Sequence, residues 1–194
     1  MGSWKKYLLW LVLALPAAFM LHSLVWQDTL PMDLLHPSGE LSVRLMVLAM
    51  LPGPLSEFFG ENRLLRFWLS MRRYFGVAAF AYALLHLAVY VLDMRSLPAI
   101  LDEFTLPGIW TGWLALVLLL PAACTSFDAA MRRLKRNWKR VQRIIYLAFL
   151  AGLVHWLLLD WEWRPAVIHA APLVLAWTLR FVARIRTDVG RPLS

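Results

Sequence analysis

Apolar residues fall in six blocks along the chain, separated by short polar stretches. The blocks are Tyr7–Trp26, Leu41–Phe59, Tyr74–Leu92, Ile109–Phe127, Ile144–Leu159 and Ala166–Val182. A helix that crosses a bilayer needs about 20 mostly apolar residues, so each block predicts one spanning helix. Glycine and proline punctuate the gaps: HPSGE at 36–40, LPG at 106–108 and RPA at 164–166. The fifth block is short at its basic end and extends back to Val141 if an arginine there snorkels. No internal repeat or low-complexity tract is visible. The expectation is an all-α integral membrane protein, one six-helix bundle over residues 1–194.

Composition agrees with the pattern. The 194 residues are 61% hydrophobic and the mean hydropathy is +0.61, where a soluble domain is nearer to half apolar. The polar gaps are too short to fold alone. The N-terminus, MGSWKKYLLWLVLALPAAFM, imitates a signal peptide. Its apolar run continues to about Trp26, so it is expected to stay as the first helix.

Charge sets the orientation. The net charge is +8, which in a soluble chain would suggest nucleic acid. Here the cations gather at alternate block ends: Lys5 and Lys6; Arg63, Arg66, Arg72 and Arg73; Arg132 through Arg143; and Arg180, Arg184, Arg186 and Arg191. Only Arg44, Arg95 and Arg164 fall toward the other side, where Asp28, Asp33, Glu40, Asp93, Asp102, Glu103, Asp160 and Glu162 collect. The positive-inside rule then places both termini in the cytoplasm. Membrane lipid replaces nucleic acid as the expected partner. Trp4, Trp26, Trp68, Trp110, Trp138, Trp161 and Trp163 sit at block ends, as interfacial anchors do. Trp156 is either core or a platform for a cofactor.

The single cysteine, Cys124, excludes an internal disulfide and any site with several thiolates. It is expected to be a small apolar filler.

Two histidines stand out. His86 lies in AYALLHLAVY and His155 in YLAFLAGLVHWLLL. From the inner ends of their blocks they lie about 18 and 17 Å along the helix axis. Both helices run from inside to outside, so both imidazoles reach the outer half of the membrane at matching depth. Ionisable groups inside a bilayer are costly and mark functional sites. Zinc wants three or four protein ligands, and no third candidate lies at that depth. A haem iron wants two axial ligands, and a helical bundle can clamp the macrocycle between facing side chains. Gly76, Ala78, Ala79, Ala81, Ala83, Ala88, Ala151 and Gly152 supply small residues for close approach, although they also serve ordinary helix packing. His36 is expected in a solvated loop or at a haem edge. His22 and His169 are explained by interfacial hydrogen bonding.

Three stretches resemble a known family: HPSGELSVRLMVLAMLPGPL (36–55), RRYFGVAAFAYALLHLAVY (72–90) and TGWLALVLLLPAACTSFDAAMRRLKRNWKRVQRIIYLAFLAGLVHW (111–156). RR-x-x-G followed by LH, then TS before a basic loop, then W-x7-Y and LVH, is similar to the MsrQ (YedZ) family of the ferric-reductase-like transmembrane superfamily. The resemblance covers about His36 to Phe181. It implies a haem b protein of a bacterial inner membrane, with His86 and His155 as iron ligands. It also implies electron transfer from a cytoplasmic flavin reductase to MsrP, a periplasmic molybdenum enzyme that reduces methionine sulfoxide in proteins. Flavin mononucleotide (FMN) association is implied as well.

The chain departs from the family in one place that bears on mechanism. Where the family shows W-x-x-L-H, this chain reads Trp138-Lys-Arg-Val-Gln142. A second haem nearer the cytoplasm would meet Gln142 on one side and a position near Arg72 on the other, so it is in doubt. Arg72 is either a positive-inside anchor or a contact to haem propionates or a flavin phosphate. A lone outer haem leaves nearly 20 Å of membrane for an electron to cross, a gap a flavin at the basic face would shorten. Glu40 also departs, standing where relatives often carry a basic or aromatic residue. The subunit itself is expected to perform no chemistry on methionine sulfoxide. Two rivals stand open: a quinol- or ferric-reductase-type cytochrome b, and a haem-free transporter or scaffold.

Overall fold

The computed structural model describes residues 3–160 and 163–189. Among these residues it has ten helices: α1 (Ser3–Trp26), α2 (Pro31–Met50), α3 (Pro52–Phe59), α4 (Arg63–Met94), α5 (Leu97–Glu103), α6 (Pro107–Cys124), α7 (Asp128–Leu134), α8 (Arg136–Gln142), α9 (Ile145–Asp160) and α10 (Trp163–Val189). Six stretches are long and apolar enough to cross a membrane: Trp4–Trp26, Pro31–Phe59, Arg63–Met94, Pro107–Cys124, Arg136–Asp160 and Trp163–Arg186. They answer to the six predicted blocks; five are longer than predicted, and the fourth starts two residues earlier but stops at Cys124, three residues before Phe127. Trp161, Glu162 and Arg191 lie outside the described residues.

The second span differs most from expectation. HPSGE is helical and lies inside α2, where the sequence pattern suggested a gap. Pro31 occupies the first turn, where a missing N–H is no loss, and Pro37 is carried within the helix. The RPA gap is likewise absorbed into the start of α10. Helix α4 begins well before Tyr74 because Asn62 caps it, its side chain accepting from the Leu65 N–H at 2.8 Å.

Prolines free backbone carbonyls inside the bundle, and side chains recover them. Pro52 cannot donate to the Leu48 carbonyl, and the Trp68 indole N–H does so instead at 2.9 Å. The Tyr82 hydroxyl donates to the Leu13 carbonyl at 2.8 Å and accepts from the Ala17 N–H at 3.0 Å, pinning α1 beside its own Pro16. At the end of α6 the Trp138 indole donates to the Thr125 carbonyl at 2.9 Å, and the Gln142 amide to the Ala122 carbonyl at 2.9 Å. Trp138 is therefore a helix cap as well as an interfacial ring.

Two antiparallel helix pairs form the centre: α2 against α4, and α6 against α9. Each pair is packed far more closely than the two pairs are packed on each other. Small buried residues, Ala78, Ala79 and Ala148, set the spacing. Ser42 ties the first pair, its hydroxyl donating to the Ala79 carbonyl at 2.9 Å. Helix α10 covers α3, α2 and α9, and α1 rests on α4. The space left between the two pairs is the site.

Candidate functional site

A cavity of about 540 Å³ opens between the two helix pairs. His86 from α4 and His155 from α9 both line it. Their ring centres are 6.0 Å apart and their planes stand at 89°. The matched depth read from the sequence is thus realised as direct opposition of the two rings.

Each imidazole is fixed by its Nδ1. For His86, Nδ1 lies 2.9 Å from the Leu35 carbonyl oxygen and 3.2 Å from the Ser38 Oγ. The Ser38 hydroxyl donates to the Leu34 carbonyl at 2.6 Å, so its oxygen accepts from the imidazole. For His155, Nδ1 lies 2.6 Å from the Gly108 carbonyl oxygen. A carbonyl only accepts, so both Nδ1 atoms carry the proton and both Nε2 atoms keep a lone pair. Pinning one nitrogen while freeing the other is how a metal-binding histidine is held.

The anchors share one local design. The carbonyl that receives His86 belongs to Leu35, one helical turn before Gly39. A Cβ on Gly39 would stand 3.2 Å from the His86 Nδ1 and Cε1. The carbonyl that receives His155 belongs to Gly108, one turn before Gly112, where a Cβ would stand 2.6 Å from the same atoms of His155. Each glycine follows a buried hydroxyl residue, Ser38 or Thr111. Thr111 donates back to the Pro107 and Gly108 carbonyls at 2.8 Å. The structure therefore contains a repeat of hydroxyl, glycine and opposed histidine, once per helix pair. Sequence reading found no repeat, because only two adjacent residues recur.

The small residues named from the sequence serve mostly elsewhere. A Cβ on Gly76 or Gly152 would meet nothing within 4 Å, and Ala78 and Ala79 are buried in the helix core. Ala83 and Gly152 do line the cavity. Close approach to the imidazoles comes instead from Gly39 and Gly112 on the facing helices.

The cavity mouth lies at the acidic end, where Glu40, Asp93, Glu103 and Asp160 line it. His36 is on α2, its Nδ1 3.6 Å from an Asp160 oxygen and its ring packed edge-on to Trp156 at 5.6 Å. Trp156 is buried, lines the cavity, and donates to Asp160 at 2.5 Å. It belongs to the core. The His169 ring packs against Trp156, with centres 5.1 Å apart and planes tilted by 42°. Its Nδ1 lies 2.6 Å from the Pro165 carbonyl oxygen and its Nε2 accepts from the Arg44 Nε at 3.0 Å. Both of its nitrogens are engaged, which leaves none for a metal. Arg44 also holds Glu40 at 2.5 Å. His22 is exposed on α1, and Cys124 is exposed at the end of α6.

At the basic end Gln142 caps α6. Gln142 spends its amide on Ala122 and on the Thr125 Oγ1, the latter at 3.1 Å. Arg72 is exposed on α4 and does not line the histidine cavity. Its neighbour Arg73 pairs with Asp128 at the start of α7. That hydrogen bond and charge hold the exposed Asp128 carboxyl below its ordinary range.

The opposed pair fits a metal bound from two sides. An imidazole nitrogen binds a first-row ion at about 2.0–2.1 Å and lies ~1.1 Å from its ring centre, so two rings sharing one ion stand roughly 6 Å apart. Among the described residues, no group of three or more His, Cys, Asp or Glu side chains is placed to hold a bare metal ion. Two imidazoles that face each other in a mainly apolar slot fit the pair of ligands a haem would take.

The family described as ferric reductase like transmembrane component matches residues 38–153. The protein-methionine-sulfoxide reductase heme-binding subunit MsrQ of Brucella anthropi is 33% identical over 202 residues, covering 98% of this chain and 89% of that protein. The protein of the same name from Xanthomonas oryzae pv. oryzae is 38% identical over 166 residues, covering 79% of this chain and 74% of that one. That of Xanthomonas campestris pv. campestris is 38% identical over 148 residues, covering 73% and 66%.

Proposed function

This chain belongs to the ferric reductase like transmembrane family, in the MsrQ group, and from that membership we propose that it is the haem b subunit that carries electrons across a bacterial inner membrane to a protein-methionine-sulfoxide reductase. The observation that carries this reading is the opposition of His86 and His155 at 6.0 Å, each with Nδ1 tied back to a carbonyl. His86 and His155 would hold the iron through their Nε2 atoms, and a group held by both would supply single-electron transfer there.

The chain's own residues do the rest. Leu35, Ser38 and Gly108 hold the imidazoles in the tautomer that leaves Nε2 free. Gly39 and Gly112 let α2 and α6 come close enough to supply those anchors. The apolar slot keeps water from the ligands, and Trp156 walls its outer side. Gln142 occupies the second ligand level, so the stoichiometry is one haem per chain. All of these residues lie within a single domain over residues 1–194.

Orientation follows from charge. The basic end, with Arg132 through Arg143, faces the cytoplasm together with both termini. Electrons enter there from a flavin reductase, with FMN bound at that face, where Arg72 is available to its phosphate. They leave at the acidic mouth to MsrP, the periplasmic molybdenum enzyme. The carboxylates of that mouth steer the soluble partner.

The test is optical. Purified protein should show a haem band that shifts on reduction, and His86→Ala and His155→Ala should each abolish it. Reduced protein should be reoxidised by MsrP with methionine sulfoxide. Reoxidation by quinone or ferric iron, with none by MsrP, would make it a different cytochrome of the same family.

A further inference from the structure

A charged side chain inside a spanning helix is costly and is kept with a partner. Arg44 lies about 20 Å along α2 from Pro31, well inside the second span. Its guanidinium is held on two sides. One nitrogen donates to the Glu40 Oε1 at 2.5 Å, one turn earlier on the same helix. The Nε donates to the His169 Nε2 of α10 at 3.0 Å. His169 is fixed in turn by the Pro165 carbonyl and the Trp156 ring.

The two charges of this pair face differently. Glu40 lines the cavity that holds His86 and His155, while Arg44 reaches Glu40 from behind and does not line it. Glu40 follows Gly39, whose Cβ would stand 3.2 Å from the His86 ring. Its backbone is therefore level with that imidazole. The other carboxylates of the cavity lie farther toward the mouth. Asp160 is about 7.5 Å along α9 beyond His155, and Asp93 is about 10 Å along α4 beyond His86. Glu103 is on α5, bonded to Tyr90 at 3.0 Å, and His36 faces Asp160 rather than Glu40.

A one-electron acceptor gains one negative charge on reduction. A carboxylate beside it opposes that gain and a guanidinium favours it, most strongly where water is excluded. We propose that Glu40 and Arg44 form a compensated charge pair that sets the reduction potential of a haem taken between His86 and His155, with Glu40 lowering it and Arg44 raising it. This rests on the haem reading above. His169 is the positioning residue, because its lone pair keeps the guanidinium turned toward Glu40.

The experiment is redox potentiometry on the full chain in detergent, after haem per chain has been counted by extraction. No electron-transfer partner is added. Glu40→Gln leaves Arg44 uncompensated, so the potential should rise. Arg44→Gln leaves Glu40 uncompensated, so it should fall. Each shift should change the ferrous-to-ferric ratio by roughly threefold to tenfold, which is ~30–60 mV for a one-electron couple. The double variant should return close to wild type, and Arg44→Lys, which keeps the charge, should stay close to it. A merely structural role predicts neither the opposite signs nor their cancellation. If Arg44→Gln does not hold haem, Glu40→Gln decides against wild type alone, and a potential that stays or falls overturns the proposal. Shifts of the same sign, or no shift in haem-bearing variants, overturn the charge pair while leaving the haem reading intact. Wild-type protein without haem overturns the haem reading and this inference with it.

Discussion

The imidazole planes of His86 and His155 are perpendicular, at 89°, across a centre-to-centre distance of 6.0 Å. The angle is set by the helices that anchor the rings. Leu35 lies on α2 and Gly108 on α6, and each fixes its own ring through Nδ1.

Perpendicular rings donate π-density into two different iron orbitals, whereas parallel rings donate into the same one. The two orbitals then stay nearly equal in energy. Ferric protein should give a strongly anisotropic low-spin electron paramagnetic resonance signal with one very large g value. A rhombic spectrum of modest anisotropy would mean that the rings rotate on binding.

Gly112→Ala and Gly39→Ala should differ. A Cβ at 112 would stand 2.6 Å from His155 atoms, and one at 39 would stand 3.2 Å from His86 atoms. Overpacking costs about 1–3 kcal/mol, and alanine returns about 0.5–1 kcal/mol of helix preference. Gly112→Ala should lose most of its haem. Gly39→Ala should keep haem with little change in stability. Haem per chain after purification decides, and equal loss in both variants would contradict the geometry.

Ser38→Ala removes one of two acceptors from the His86 Nδ1, while the Leu35 carbonyl at 2.9 Å remains. Haem should stay bound. A less electron-rich imidazole stabilises ferric iron less, so the midpoint potential should rise. A bond worth ~1 kcal/mol limits the rise to about 40 mV. Potentiometric titration reads it, and a fall in potential would reverse the assigned direction of the hydrogen bond.

The Arg73–Asp128 contact gives a pH dependence. Arg73 holds the Asp128 carboxyl below its ordinary value, so the folded pKa is lower than the unfolded value of about 3.9. The contact therefore stabilises above that unfolded value and is lost as pH falls through the folded one. Melting of wild type and Asp128→Asn in detergent should differ at neutral pH by a small gap that closes in acid. A gap that does not narrow as pH falls below the unfolded value would assign it to something other than this carboxylate.

Gln142→Ala breaks the bonds to Ala122 and Thr125. Intramembrane hydrogen bonds average about 0.6 kcal/mol with a maximum near 1.7, so stability should fall within that range. Haem stoichiometry should not change from one per chain. A drop in haem content would make Gln142 part of the cofactor site.

Much of this was legible in the sequence because bilayer physics writes it in composition. Six apolar blocks gave six spans, and the depth of His86 and His155 followed from 1.5 Å per residue. What hid were features that depend on neighbours. HPSGE looked like a gap because Pro37 and Gly39 break helices in water, yet in a bundle Gly39 is the clearance for an imidazole on another helix. Ser38 and Thr111 were invisible for the same reason, since each acts on a residue distant along the chain. Trp138 and Gln142 could be placed at a helix end, but their capping of α6 needed coordinates.

The loose seam between the two helix pairs has a consequence for biogenesis. Each antiparallel pair closes its own backbone bonds and seats its own histidine against its own carbonyl. A haem gripped by one histidine from each half would bridge that seam, so cofactor loading is expected to lock the two halves together.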